Sequence, residues 1–464
     1  MQKLNDICYC EAKTNSGDEF VGIRYDKLND NKYDVKIIFP MSYFKDDEAI
    51  HNSSEELLRE CVMNLFSVLS DAALLSKVRE DSSVAALSEK SKETAFPMLA
   101  YLNVIRNYLD HGYITEREVE YKSKTHGKIN WNRTIKMTRP VVTEDEENFV
   151  YLDLIARKVN YNEDCLITLV HKFCVHDALN RLGFLFGIEP TEEPVLDFDY
   201  DIFCNAVNAK LSKTFNDRDL HLLSDLAKII EFLAEHQTED GINPEFYFGV
   251  NKFAPVWEAM VDRIFENLPQ GVVKDKFNPH CEWNVGSGDC DYENQNYAMR
   301  PDTLMWHIAN DGTKHLCVLD AKYYKYGMTT ETSDLPTSGS ICKQIAYAEF
   351  VDTHWDEIFG LDFANNDTSP KPIYNAFILP FCFDADNSKL QPDDDCKERP
   401  YRMRFFGTCH GTWKNLDAKP SDNEYRPYHR IAGFMLDVKS VMQNYASSEN
   451  AQKKLAELIS GKVC

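Results

Sequence analysis

The chain has 464 residues, 43% hydrophobic and 27% charged, the balance of a folded protein of two or three domains and not of a disordered one. Its 51 basic and 75 acidic residues give a formal net charge of −24, so bulk electrostatics cannot hold DNA, RNA or an anionic membrane on it. No apolar run is long enough to cross a bilayer, and Met1-Gln2-Lys3-Leu4-Asn5-Asp6 lacks the apolar stretch of a signal peptide, so a cytoplasmic protein with no membrane partner is expected.

The 14 cysteines are scattered, with no CxxC pair and no zinc-finger spacing, and read as small apolar residues of a reducing compartment. Cys8 and Cys10 are two apart and share a face if the segment is a strand. Val35-Lys36-Ile37-Ile38-Phe39 reads as a strand between Asn- and Asp-rich loops. Ser54 is a candidate N-cap, with Glu55 and Glu56 in the first turn of a helix whose Leu57, Leu58, Cys61, Val62, Leu65, Phe66 and Leu69 recur at helical spacing. A second helix is expected over Phe96 to Leu109, stopping at His111-Gly112. Tyr113-Ile114-Thr115 leading into Val119-Glu120-Tyr121 reads as one strand and Ile129 to Met137 as another, joined by a turn at His126-Gly127.

Lys122 to Arg139 holds six basic residues and no acidic one. It is either a solvated hairpin or a basic finger for phosphate or a nucleotide-binding partner. Residues 150–240 read as mostly helical, with core faces in Asp164 to Phe186 and in Asp217 to His236. His171 and His176 are five apart, about 140° round a helix, so they do not converge on a metal and read as structural. There is no internal repeat, Walker A motif or G-x-G-x-x-G, hence no phosphate cradle of the chain's own. The texture changes after Gly241-Ile242-Asn243-Pro244. The expected domains are therefore 1–240, with a β-rich start and a helical 150–240, and 241–464.

The chemistry concentrates in the second part. Val256, Trp257, Met260, Val261, Ile264 and Phe265 make an amphipathic helix, with Glu258 beside the buried stripe. Arg300-Pro301-Asp302 opens a strand running from Thr303 to Ile308. Leu316-Cys317-Val318-Leu319-Asp320-Ala321-Lys322-Tyr323-Tyr324 is a buried-looking strand interrupted by Asp320 and Lys322. Lys343-Gln344 sits in a helical pattern that continues through Ile345, Ala348 and Phe350. The turn signal Asn310-Asp311-Gly312 makes a β-hairpin of the two strands, and Asp320 and Lys322, two apart, leave one face. This predicts two carboxylates and an ammonium at one spot. Two such carboxylates call for a hard divalent cation, Mg2+ or Mn2+, which polarises a phosphoryl oxygen and acidifies water. Lys322 would orient the water and offset charge on phosphorus. A lone D-x-K is common on solvated edges, and Pro-Asp is common in turns. An unpaired charge inside a buried strand is costly, however, and that favours a site. Arg399, Arg402, Arg404 and Lys414, interleaved with Tyr401, Phe405, Phe406 and Trp413, alternate like a strand with one face in the core.

Pro301-Asp302 followed by Asp320-Ala321-Lys322 resembles the PD-(D/E)XK nuclease superfamily. A longer resemblance is to the McrC-like LlaJI family of restriction endonucleases. It is carried by Phe248-Gly249-Val250-Asn251-Lys252-Phe253, Val256-Trp257-Glu258, Arg300-Pro301-Asp302 and Leu319-Asp320-Ala321-Lys322-Tyr323-Tyr324. Upstream, Gly127-Lys128-Ile129-Asn130-Trp131-Asn132-Arg133-Thr134-Ile135 is similar to an McrC-type signature. The match runs over roughly residues 95 to 440 and covers 1–90 least.

The resemblance implies an α/β fold (α+β overall), with an N-terminal partner-docking region ahead of a PD-(D/E)XK domain built on a mixed sheet flanked by helices. It implies a nuclease subunit of a two-component, GTP-dependent restriction system that cuts double-stranded DNA with Mg2+ and activates an McrB-like AAA+ GTPase. Asp302 and Asp320 would bind the metal, with the Ala321 carbonyl and Glu258 as further ligands. Lys322 would serve the water and Gln344 would support the site. Lys128, Trp131 and Arg133 fall in the docking region. Cutting both strands calls for one nuclease domain acting twice or for a dimer of them. Two other readings remain: a non-catalytic scaffold that stimulates the partner's GTPase, and a stand-alone repair nuclease that needs neither partner nor GTP.

Overall fold

The computed structural model describes residues 3–10, 20–27, 33–71, 74, 96–123, 127–142, 149–162, 164–238, 241–279, 283–285, 288–290, 299–309, 312–360, 371–383, 401–415, 422 and 425–463. The fold is mixed α/β and falls into two compact units, one within residues 93–244 and one formed by 3–92 together with 245–464.

In the first unit, the antiparallel strands Glu116–Ser123 and Lys128–Ile129 both pair with Ile155–Asn162, which lies between them. The expected hairpin is therefore not formed, because a strand from the stretch read as helical separates its two arms. Nor does a strand run from Ile129 to Met137. Asn130 accepts a hydrogen bond from the Arg133 N–H at 3.1 Å and caps a helix over Trp131–Met137. The alternating Ile129, Trp131, Ile135 and Met137 imitate a strand, but the cap decides the conformation. Of the turn at His126-Gly127, His126 lies outside the described residues.

Two short strand pairs, Val141–Val142 with Phe149–Val150 and Gln237–Thr238 with Gly241–Ile242, and the helices Met98–His111, Leu166–Phe186, Tyr200–Leu211 and Asp217–Glu235 also belong to this unit. Buried polar groups tie them together. Tyr101 donates to Asp177 at 2.7 Å, and the buried Arg181 donates to Asp177 at 3.0 Å and to the Pro244 carbonyl at 2.8 Å. His171 Nδ1 accepts the Ile114 N–H at 3.1 Å, which fits its structural reading.

Besides a short antiparallel pair, Trp283–Val285 with Gly288–Cys290, the second unit contains two larger sheets. One runs in the order Cys8–Cys10, Tyr33–Phe39, Val21–Lys27, Phe246–Val250, backed by the Glu55–Ser70 helix, whose Phe66 meets Phe248 edge-on. Ser54 caps that helix as expected, accepting from the Leu57 N–H at 3.2 Å. Gly22 stands opposite Gly249, and a Cβ on Gly22 would lie 2.2 Å from the Phe248 carbonyl oxygen, so only glycine permits this approach. The pairing explains why residues 3–92 do not stay with the rest of 1–240. Their strand finds its partner just beyond the expected boundary.

The other sheet runs Thr303–Ile308, Lys314–Ala321, Ile373–Phe381, Arg430–Asp437, Met403–His410. Its pairings are in turn antiparallel, parallel, parallel and antiparallel. Ile373–Phe381 is buried along its whole length, as a central parallel strand with both faces covered must be. On one face Leu304, Trp306, Leu316, Val318 and Ile373 pack against Tyr347, Ala348 and Val351 of the Ser338–Thr353 helix. The alternate side chains, from Thr303 onward, face the Ala254–Phe265 helix, to which Thr303 bonds through Asp262. Among the described residues, no helix is long and apolar enough to cross a membrane.

Candidate active site

The hairpin puts Thr303 opposite Leu319, which brings Asp302 and Asp320 to the same end of the sheet. Gly312, at φ 86°, closes the loop by donating to the Ala309 carbonyl at 2.9 Å; Asn310 and Asp311 lie outside the described residues. Asp302 and Asp320 share the parity of Leu304 and Val318, so both face the Ser338–Thr353 helix. The three expected residues converge. Lys322 Nζ donates to Asp320 Oδ1 at 2.7 Å and stands 3.9 Å from Asp302 Oδ2. The Ala321 N–H donates to Asp302 Oδ2 at 3.1 Å, and the Lys322 N–H donates to the Ile378 carbonyl at 2.9 Å, fixing the end of the strand to its neighbour.

Charge is unbalanced here. Asp320 is 3% exposed, and its Oδ2 is buried with no hydrogen-bond donor. Burial pushes the Asp302 carboxyl well above the usual carboxylate range, helped by the hydrogen bond its acid form donates to Asp320 and by charge repulsion from Asp320, while Lys322 pulls the other way and Glu258 adds to the rise. Burial alone would lower the Lys322 ammonium, but Asp302 and Asp320 outweigh it and raise its pKa. One ammonium thus serves a site with more than one carboxylate. An arrangement of buried, oxygen-only donors short of positive charge has the chemistry of a hard-cation site.

The remaining sequence candidates take different places. Glu258, half-buried on the Ala254–Phe265 helix, acts on Asp302 and Lys322 through its charge. Among the described residues, no three Asp, Glu, His or Cys side chains stand close enough together to hold an ion, so Glu258 does not complete a three-acid cluster. Ala321 contributes its N–H to Asp302. Gln344 is fully buried and donates to the Val318 carbonyl at 2.6 Å, bracing the strand two residues before Asp320.

Lys128, Trp131 and Arg133 lie in the other unit. All three are exposed, and the Arg133 guanidinium stacks 3.8 Å from the Tyr121 ring centre. Sequence reasoning did not single out Asp262, Lys274, Thr303 or Tyr347. Tyr347 donates to the Arg300 carbonyl at 2.5 Å and so steadies the turn before Asp302. The available signal was helical spacing, since Asp262 is one turn after Glu258 and Tyr347 one turn after Gln344.

A family model described as LlaJI restriction endonuclease matches residues 28–390. A curated relative, the Type II restriction enzyme BsuMI component YdjA of Bacillus subtilis, is 25% identical over 244 residues, which is 51% of this chain and 50% of that one. The match thus spans about half the length of that relative. Among solved structures, a chain of the Thermococcus gammatolerans assembly of McrB AAA+ hexamers with bound McrC aligns over 95% of this chain and 83% of its own, at 14% identity and a TM-score of 0.31.

Proposed function

Because this chain belongs to the LlaJI restriction endonuclease family, we propose that it is the nuclease subunit of a restriction system and hydrolyses phosphodiester bonds of double-stranded DNA at Asp302, Asp320 and Lys322. The observation that carries the reading is the buried Asp320 Oδ2, without a donor, at a carboxyl pair served by one ammonium. These residues fit a hard divalent cation, Mg2+ or Mn2+, held by Asp302 and Asp320, with the Ala321 carbonyl as a further oxygen donor. When bound, such an ion supplies Lewis acidity to the phosphoryl group and lowers the pKa of water.

The protein's own groups do the rest. The Ala321 N–H fixes one Asp302 oxygen, Gln344 fixes the strand that carries Asp320, and Lys322 presents a positive charge where negative charge gathers on the phosphoryl oxygens. This is the arrangement expected of a PD-(D/E)XK domain.

The partner in this reading is an McrB-like AAA+ GTPase that captures DNA. Two observations support it. A chain of net charge −24 without a phosphate-binding loop is poorly suited to capture DNA alone. The Trp131–Met137 helix also exposes Trp131, Ile135 and Met137 beside the exposed Arg133 and Lys136, as a docking surface would.

The test uses the full chain with its purified GTPase partner, GTP, Mg2+ and linear double-stranded DNA. Asp320→Ala is expected to lower cleavage on the order of a thousandfold while leaving stimulation of GTP hydrolysis unchanged. Cleavage at the unmodified rate overturns the nuclease assignment. Absence of GTPase stimulation by the unmodified chain overturns the partner assignment.

A further inference from the structure

Asp302 is held at both ends. The Ala321 N–H grips its carboxylate, while its main-chain carbonyl accepts a hydrogen bond from Lys274 Nζ at 2.6 Å. Lys274 opens the short 3₁₀ turn Lys274–Phe277, and that turn is anchored by the fully buried Phe277 against Phe359. The same ammonium donates to Asp262 Oδ1 at 2.9 Å and lies 3.5 Å from Glu266 Oε1. Asp262 is 7% exposed, and its Oδ1 also accepts from the Thr303 hydroxyl at 3.0 Å. One buried carboxylate on the Ala254–Phe265 helix therefore fixes both the lysine that holds residue 302 and the side chain of residue 303.

Two hydrogen bonds of the Lys274 ammonium go to the Asp262 carboxylate and the Asp302 carbonyl, and Glu266 lies within ion-pair distance. The group is thus aimed at the backbone of Asp302, and an ion pair built only for stability would not need to touch that carbonyl. We propose that Lys274, anchored on Asp262, is a positioning residue that sets the Asp302 carboxylate for divalent-cation binding. The inference rests on the nuclease reading above. Groups that orient a metal ligand from behind typically change metal affinity 10- to 100-fold when removed.

The experiment titrates Mn2+ into the full-length chain by calorimetry, without DNA or partner, and repeats this with Lys274→Met, Lys274→Arg and Asp262→Asn, each checked by a melting curve. Lys274→Met and Asp262→Asn are expected to weaken Mn2+ binding about tenfold, and Lys274→Arg to recover most of the loss. The Mg2+ concentration giving half-maximal cleavage should rise by the same factor, with the rate restored at saturating Mg2+. A Lys274→Met chain that melts lower yet binds Mn2+ as the unmodified chain does overturns the inference and leaves Lys274 a stabilising ion pair. If Lys274→Met does not fold, Asp262→Asn and Lys274→Gln carry the same expectation, and unchanged Mn2+ binding in them overturns it equally. An unmodified chain that binds no Mn2+ overturns the nuclease reading itself, which separates that failure from this one.

Discussion

The Asp302–Asp320–Lys322 cluster and the Lys128–Met137 segment both carry charge next to apolar residues, and they treat it in opposite ways. In the first, charges are withdrawn from water and held by hydrogen bonds such as those from the Ala321 N–H to Asp302 and from Lys322 to Asp320, while Asp320 Oδ2 is buried without a donor. In the second, only Thr134 of the Trp131–Met137 helix is buried, while Trp131 and Met137 are 54% and 72% exposed. Burial raises the energy of unbalanced charge and fixes geometry, which chemistry requires. Exposure leaves apolar and basic groups free to meet another surface, which recognition requires.

The largest test of that contrast removes Lys322, the cation that stands against both Asp302 and Asp320. Lys322→Met is expected to abolish cleavage and to lower the stability of the metal-free chain by about 3–5 kcal/mol, the usual cost of stranding a buried charge. Added Mg2+ should recover part of the melting temperature but not the activity. Equal melting of variant and unmodified chain in EDTA would break the comparison.

The interior of the other unit supplies the next effect. His171 is buried, which pushes its pKa down to about 4, so the fold holds it neutral while the unfolded chain protonates near the ordinary histidine value of 6.5. The stabilisation is complete above pH 6.5 and is lost as pH falls toward 4, by about 3 kcal/mol in all. His171→Gln, whose amide can still accept the Ile114 N–H, should flatten that pH dependence in urea titrations between pH 7 and pH 4.

Gln344→Met tests the brace behind the site. Loss of its buried bond to the Val318 carbonyl should cost about 1–3 kcal/mol, with a matching fall in the denaturation midpoint and reduced cleavage. The smallest stability effect is expected on the exposed helix. Trp131→Ser with Ile135→Ser and Met137→Ser should alter stability by less than about 0.5 kcal/mol while abolishing stimulation of the GTPase partner. A large loss of stability there would show that the surface is part of a core.

Local signals made much of the second unit legible. Ser54 marked a helix start, helical spacing marked the Ala254–Phe265 and Ser338–Thr353 helices, and a turn between two apolar strands put Asp302 beside Asp320. These follow from interactions a few residues apart, which a linear reading can follow. The same method mistook Trp131–Met137 for a strand, because alternation at Ile129, Trp131, Ile135 and Met137 outweighed a single capping residue, Asn130. It also missed the Ile155–Asn162 strand, whose partners lie about 30 residues or more upstream. Strand pairing is set by contacts remote in sequence, so a short strand without strong alternation leaves little local trace.

The sequence by itself determined the chemistry on offer: an acidic chain, two carboxylates and a lysine on one hairpin, and a helix on either side to frame them. Only the tertiary structure decided which groups hold that chemistry in place. Lys274 meets Asp302 across 28 residues of chain and Asp262 meets Thr303 across 41, and Val21–Lys27 pairs with Phe246–Val250, more than 200 residues later in the sequence. Hydrogen bonds and strand ladders act over a few ångströms in space without regard to distance along the chain, so folding alone chooses those partners.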